Sequence, residues 1–79
     1  IIPDSSYRQL TRAELSGYDS STLALIRNEI YARNGYVFKK QYYQNYFGAK
    51  SWYSPNPAFN ESWLTSTEKY NIQLIKSME

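Results

Sequence analysis

Glu61 and Glu68 stand seven residues apart, and two carboxylates within reach of each other are what general acid–base chemistry requires. One member already has a simpler role. Thr65-Ser66-Thr67-Glu68 has the Thr-x-x-Glu order of a capping box, in which the Glu side chain satisfies the backbone N–H that opens a helix. Glu29 precedes Arg33 by four residues, the spacing of an ordinary ion pair on a helix surface. Ser and Thr are plentiful, but the chain has no His to activate a hydroxyl and no Cys to serve as nucleophile or metal ligand. No Gly-rich phosphate loop is present. The residues therefore predict a protein that is not an enzyme, with no cofactor and no metal.

Binding chemistry has more to work with. The chain carries nine Tyr, three Phe and two Trp. Eleven of these aromatics fall between Tyr31 and Trp63, interleaved with Lys39, Lys40 and Lys50. The net charge of +2 hides a split, because residues 27–50 balance at +4 while the flanking segments each balance at −1. A basic patch attracts an anionic partner through a field that salt screens beyond about 10 Å. Exposed Tyr and Trp faces can stack on bases and, by analogy, on sugar rings. The candidate ligand-binding residues are Tyr36, Lys39, Lys40, Lys50, Trp52 and Tyr53. Against this stands the plainer account of a solvated face, with Arg27 and Arg33 tied to carboxylates or helix-end carbonyls. The aromatics divide likewise. Phe38, Phe47, Phe59 and Trp63 are expected in the core, whereas Tyr36, Tyr42, Trp52 and Tyr53 suit either surface or core. A nucleic-acid partner is not expected, since the net charge is small and no nucleic-acid signature appears.

The elements that must position these residues are helical. Leu23, Ile26 and Ile30 recur at spacings of three and four, continued by Arg33 or Asn34, which places them on one face. Asp19, Ser20 or Ser21 can cap the start, and Asn34-Gly35 can end the helix in the left-handed conformation that Gly tolerates. Asn-Gly is also a strong hairpin signal, and Tyr36-Val37-Phe38 would suit a strand. The upstream residues decide for a helix over 20–34, because Ile30-Tyr31-Ala32-Arg33 continues the same period and the segment is rich in helix formers.

Elsewhere the chain reads as short helices joined by structured loops. Thr11-Arg12-Ala13-Glu14 is a second capping box, with only Leu15 and Ser16 before Gly17, so one or two turns follow. Lys40 to Phe47 is expected as a helix that Gly48 stops. Pro55 and Pro57 then break a long aromatic-rich loop from Gly48 to Trp63. In the last helix Ile72, Ile75 and Met78 should form the buried face, with Leu74 beside them. The fold expected is all-α, a small single domain of three to four short helices with that long loop. A chain of this length buries only a little over ~60 % of its unfolded surface, so bulky aromatics would be needed to fill the core. No apolar run suffices for a membrane span. The opening Ile1 to Gln9 reads as a linker or N-terminal arm of a longer protein, ahead of a helical domain at 10–79.

Arg27 to Gly35, read RNEIYARNG and followed by Tyr36-Val37-Phe38, resembles the signature of the YARHG domain family. Further matches follow in the family's order: Tyr46-Phe47, Ser51-Trp52-Tyr53, the Pro-containing loop to Phe59, Leu64-Thr65, and Asn71-Ile72 in the last helix. The resemblance covers about residues 10 to 79. It departs at Asn34, where the family has His, so a role needing imidazole is ruled out there while a helix-capping role survives. The family is an extracytoplasmic bacterial module. The resemblance thus implies a cell-envelope location and, with the basic aromatic middle, a non-catalytic module that binds an anionic or glycan-rich cell-wall polymer. The alternative is a structural module, or one that binds another envelope protein, within a larger surface protein.

Overall fold

The computed structural model describes all 79 residues and contains four α-helices and no strand. They are α1 (Arg12–Leu15), α2 (Ser20–Arg33), α3 (Gln41–Gly48) and α4 (Ser66–Met78), with one 3-10 turn at Glu61–Trp63. None is long and apolar enough to cross a membrane. The all-α reading holds, and so do its helix starts. Thr11 and Thr65 both cap their helices through complete capping boxes with Glu14 and Glu68. Asp19 caps α2 by accepting from the Thr22 N–H at 2.8 Å. At α3 the expected stop is displaced by one residue. Gly48 lies inside the helix without positive φ, and Ala49 is the C-cap.

α2 and α4 pack against each other and carry the main core. Leu23, Ile26 and Ile30 from α2 meet Ile72 and Ile75 from α4, closed at the edges by Leu10, Leu15 and Leu64. This cluster contains no fully buried aromatic, contrary to the expectation that aromatics fill the centre. The bulky rings instead form a second, smaller cluster around Phe38 and Phe47, walled by Tyr31, Tyr36, Tyr43, Tyr46 and Tyr53. Tyr31 touches both clusters, so α2 is their common wall. Phe38 and Phe47 are buried as expected and Phe59 is half-buried, but Trp63 is 44 % exposed. It sits on the 3-10 turn edge-on to Phe59, with ring centroids 5.9 Å apart. Met78, expected on the buried face of α4, is only half-buried at the helix end.

The segment expected as a linker or N-terminal arm, residues 1–9, packs onto the helices. Ile2 joins the main core and Ser5 is fully buried. Arg33 and Asn71 are among the polar side chains that hold it, with Glu29 on the Ile1 amino group. Arg33 donates to Ser5 Oγ at 2.7 Å, Ser6 Oγ at 3.0 Å and the Ile2 carbonyl at 2.9 Å. Asn71, completely buried in α4, accepts from the Leu10 N–H at 2.8 Å and donates to the Ser5 and Arg8 carbonyls at 2.7 and 2.9 Å. A buried amide costs stability unless each of its groups is bonded, and this one serves three backbone groups that would otherwise be unpaired.

Candidate functional site

The end of α2 builds the site. Gly35 has φ of +88°, and the Gly35 N–H donates to the Ala32 carbonyl at 3.0 Å while the Tyr36 N–H donates to the Tyr31 carbonyl at 3.1 Å. This pair of bonds is a Schellman ending, and the ring contact that accompanies it is present, Tyr31 and Tyr36 being 5.5 Å apart. The Asn34 side chain donates back to the Ile30 carbonyl at 3.0 Å and across to Glu68 at 3.2 Å. The chain then leaves the helix extended, so that alternate side chains face alternate ways. Val37 and Lys39 are exposed, Phe38 is buried and Tyr36 lies between.

The long loop returns to this exit segment and is fastened there. The Asn56 N–H donates to the Gly35 carbonyl at 2.8 Å, and the Tyr53 hydroxyl donates to the Tyr36 carbonyl at 2.6 Å. Burial raises the Tyr53 pKa above its ordinary value, so the hydroxyl keeps its proton for that bond. Phe59 packs edge-on against Tyr36 with centroids 5.2 Å apart. Tyr36 also meets Phe38 edge-on at 4.9 Å, so its ring is fixed on both sides.

The charges sort themselves sharply. Arg27 is paired with Glu79, and Arg33 with Glu29 at 2.6 Å, as the plainer account of these arginines anticipates. Lys39, Lys40 and Lys50 take part in none of the ion pairs. Lys39 and Lys40 are exposed, while Lys50 lies over the Tyr46 ring with its ammonium 4.7 Å from the centroid.

The six candidate residues do not form one patch. Tyr36 and Lys39 together line two adjoining clefts. One, of about 300 Å³, adds Arg27, Asn28, Lys40 and Tyr43; the other, of about 520 Å³, adds Val37, Asn56, Pro57 and Phe59. No carboxylate lines either. Lys50 and Trp52, the latter 46 % exposed, line a separate cleft of about 490 Å³ with Pro3, Glu29 and Arg33. Tyr53 is half-buried against the Phe38–Phe47 cluster, lines neither region and serves as a fastener for the loop. Asn56, Pro57 and Val37 escape the sequence reading as lining residues. Pro55-Asn56-Pro57 signals a break in regular structure but not where the broken chain docks.

The two glutamates considered for acid–base chemistry have different surroundings. Glu68 is buried in its capping box and bonded to Asn34, whereas Glu61 lines a small surface cleft of about 190 Å³ with Arg27, Asn28, Tyr31 and Tyr36. No three His, Cys, Asp or Glu side chains come together as a metal site would need. Among known proteins, the family model of the YARHG domain matches residues 1–79, the whole chain. No curated protein and no solved structure gives a significant match.

Proposed function

The chain belongs to the YARHG domain family, and from that membership and the site geometry we propose that it is a non-catalytic, extracytoplasmic module of a bacterial cell envelope, binding an anionic or glycan-rich wall polymer. One observation carries the reading. Lys39 and Lys40 stand exposed and unpaired on clefts walled by the fixed Tyr36 ring and lined by no carboxylate. A pair of unneutralised ammonium groups beside a rigid aromatic attracts an anion and offers an apolar surface to whatever carries it. Lys50 and exposed Trp52 also set a cation beside an aromatic, though their cleft is lined by Glu29 as well. The aromatics that hold the loop favour a second reading, a structural or protein-binding module that positions neighbouring domains.

Co-sedimentation of the chain with purified bacterial cell wall, with and without its anionic polymer, separates the two. Binding that weakens as salt rises from about 20 to about 150 mM is expected, because the Debye length falls across that range to roughly 8 Å. Lys39→Gln/Lys40→Gln should lower the low-salt affinity and flatten its salt dependence. Trp52→Ala should weaken binding about equally at both salts, since stacking is little screened. A chain that stays in the supernatant at low salt leaves the structural module as the better account.

A further inference from the structure

We propose that the Tyr36 face reads its ligand in two adjoining compartments, so that the ligand class is a glycan with an acidic substituent next to an uncharged ring. The inference rests on the polymer-binding reading above. The first compartment holds the acidic group. Lys39 and Lys40 line it and supply its net positive charge, since Arg27, which also lines it, is balanced by Glu79. The second holds the neutral ring. Val37, Pro57 and Phe59 make its floor apolar, and Val37 is 45 % exposed. Asn56 Oδ1 there already accepts from the Ala58 N–H at 2.9 Å, which leaves the Asn56 NH₂ to donate. An apolar floor rimmed by donors suits the C–H face of a sugar whose hydroxyl oxygens accept.

Tyr36 and Lys39 belong to both compartments, and the Tyr36 ring between Phe38 and Phe59 cannot move aside to merge them. The two ligand parts are therefore read at a fixed separation. Glu61 lines a small cleft that shares Arg27, Asn28 and Tyr36 with the first compartment, so the acidic group belongs at the Lys39–Lys40 end of that compartment, where no carboxylate lines it.

The test is calorimetric titration of the chain with four probes. Hyaluronan hexasaccharide alternates carboxylate-bearing and neutral sugars, and glycosylated poly(ribitol phosphate) supplies phosphate instead. Chitohexaose is neutral, and linear polyphosphate has charge but no ring. Whichever acidic glycan binds more tightly identifies the substituent as carboxylate or phosphate. That glycan should bind about tenfold or more tighter than both chitohexaose and polyphosphate, the size expected of one charge-assisted contact. Lys39→Gln/Lys40→Gln should bring it down to the affinity of chitohexaose. Val37→Gln, a neutral change at an exposed position, should weaken the glycans and leave polyphosphate untouched. Polyphosphate binding as tightly as the acidic glycans would overturn the two-compartment site while leaving an anion-binding module. Chitohexaose binding as tightly would overturn it while leaving a glycan-binding one. Failure of all four probes would remove the polymer reading itself.

Discussion

Gly35 is the residue on which the site turns, because its left-handed conformation both ends α2 and aims Tyr36. A Cβ at this position would lie 3.1 Å from Asn56 Cβ and 3.2 Å from the Ser54 carbonyl oxygen, so the loop as well as the backbone opposes a side chain. Gly35→Ala should therefore cost about 2 kcal/mol or more and lower the melting temperature by roughly 10 °C. Gly48→Ala is its control. That glycine lies in α3 with open space around its Cβ position, and the substitution should be neutral or stabilising by up to about 1 kcal/mol. Equal melting temperatures for the two variants would refute the assignment. Asn34 allows a sharper experiment, since its amide faces the Glu68 carboxylate. In Asn34→His that carboxylate raises the folded imidazole pKa above the roughly 6.5 of an unfolded chain. The added stability is then complete below that value and is lost as pH rises through the folded pKa. Melting temperatures measured relative to the parent should favour the variant more at about pH 5.5 than at about pH 8. The same difference at both would show that the imidazole does not reach Glu68.

The same capping box opens two elements in different surroundings, and the surroundings decide its worth. At α4 Glu68 is buried, bonded to the Thr65 N–H at 2.9 Å and to Asn34, and α4 supplies Ile72 and Ile75 to the main core. At α1 Glu14 is partly exposed and its box is shared with Arg8, which donates to it at 2.7 and 3.0 Å. Thr65→Ala should thus destabilise the chain by about 1 kcal/mol, near the middle of the range for lost caps, and Thr11→Ala by less. The α1 box has a pH signature. The Arg8 hydrogen bond, then the Thr11 backbone N–H, lower the Glu14 pKa to about 2. A depressed carboxylate contributes stability above its unfolded value, and the contribution is lost as pH falls from about 4.5 towards about 2. Asp19 at the α2 cap is lowered in the same direction by Thr22. In an NMR titration Arg8→Gln should move the Glu14 midpoint upwards; an unmoved midpoint would mean that the guanidinium is not its partner in solution.

For the molecule as a whole, Asn71 is the tie between its first ten residues and its last helix. Three buried or half-buried backbone groups depend on this one amide. Asn71→Ala should cost about 3 kcal/mol or more, because each group left unbonded carries a desolvation penalty of about 1–3 kcal/mol. That is a large share of the stability of a domain this small. Hydrogen exchange resolves where the loss falls. The Leu10 amide should lose protection more than the α2 amides, whereas a uniform loss would mean that residues 1–9 are not separately fastened by Asn71.

Helix identity and helix ends were legible in the sequence because they are local. The period of Leu23, Ile26 and Ile30, both Thr-x-x-Glu boxes and the Asn34-Gly35 ending act over a few residues of backbone geometry, and each appears where its spacing put it. The i,i+4 pairing of Glu29 with Arg33 was readable for the same reason. Only the tertiary structure decided which aromatics became core, since burial depends on what the far side of the molecule offers. The aliphatic faces of α2 and α4 fill the centre between them, so the rings were left to a second cluster and Trp63 to the surface. It likewise decided the partners of Arg27, Asn71 and Glu68, which lie 52, up to 66 and 34 residues away along the chain. The candidate lysines were legible as charge but not as places. Lys39 and Lys50 are divided between clefts because the loop returns to Gly35 through a backbone bond from Asn56, and no periodicity in the sequence encodes that return.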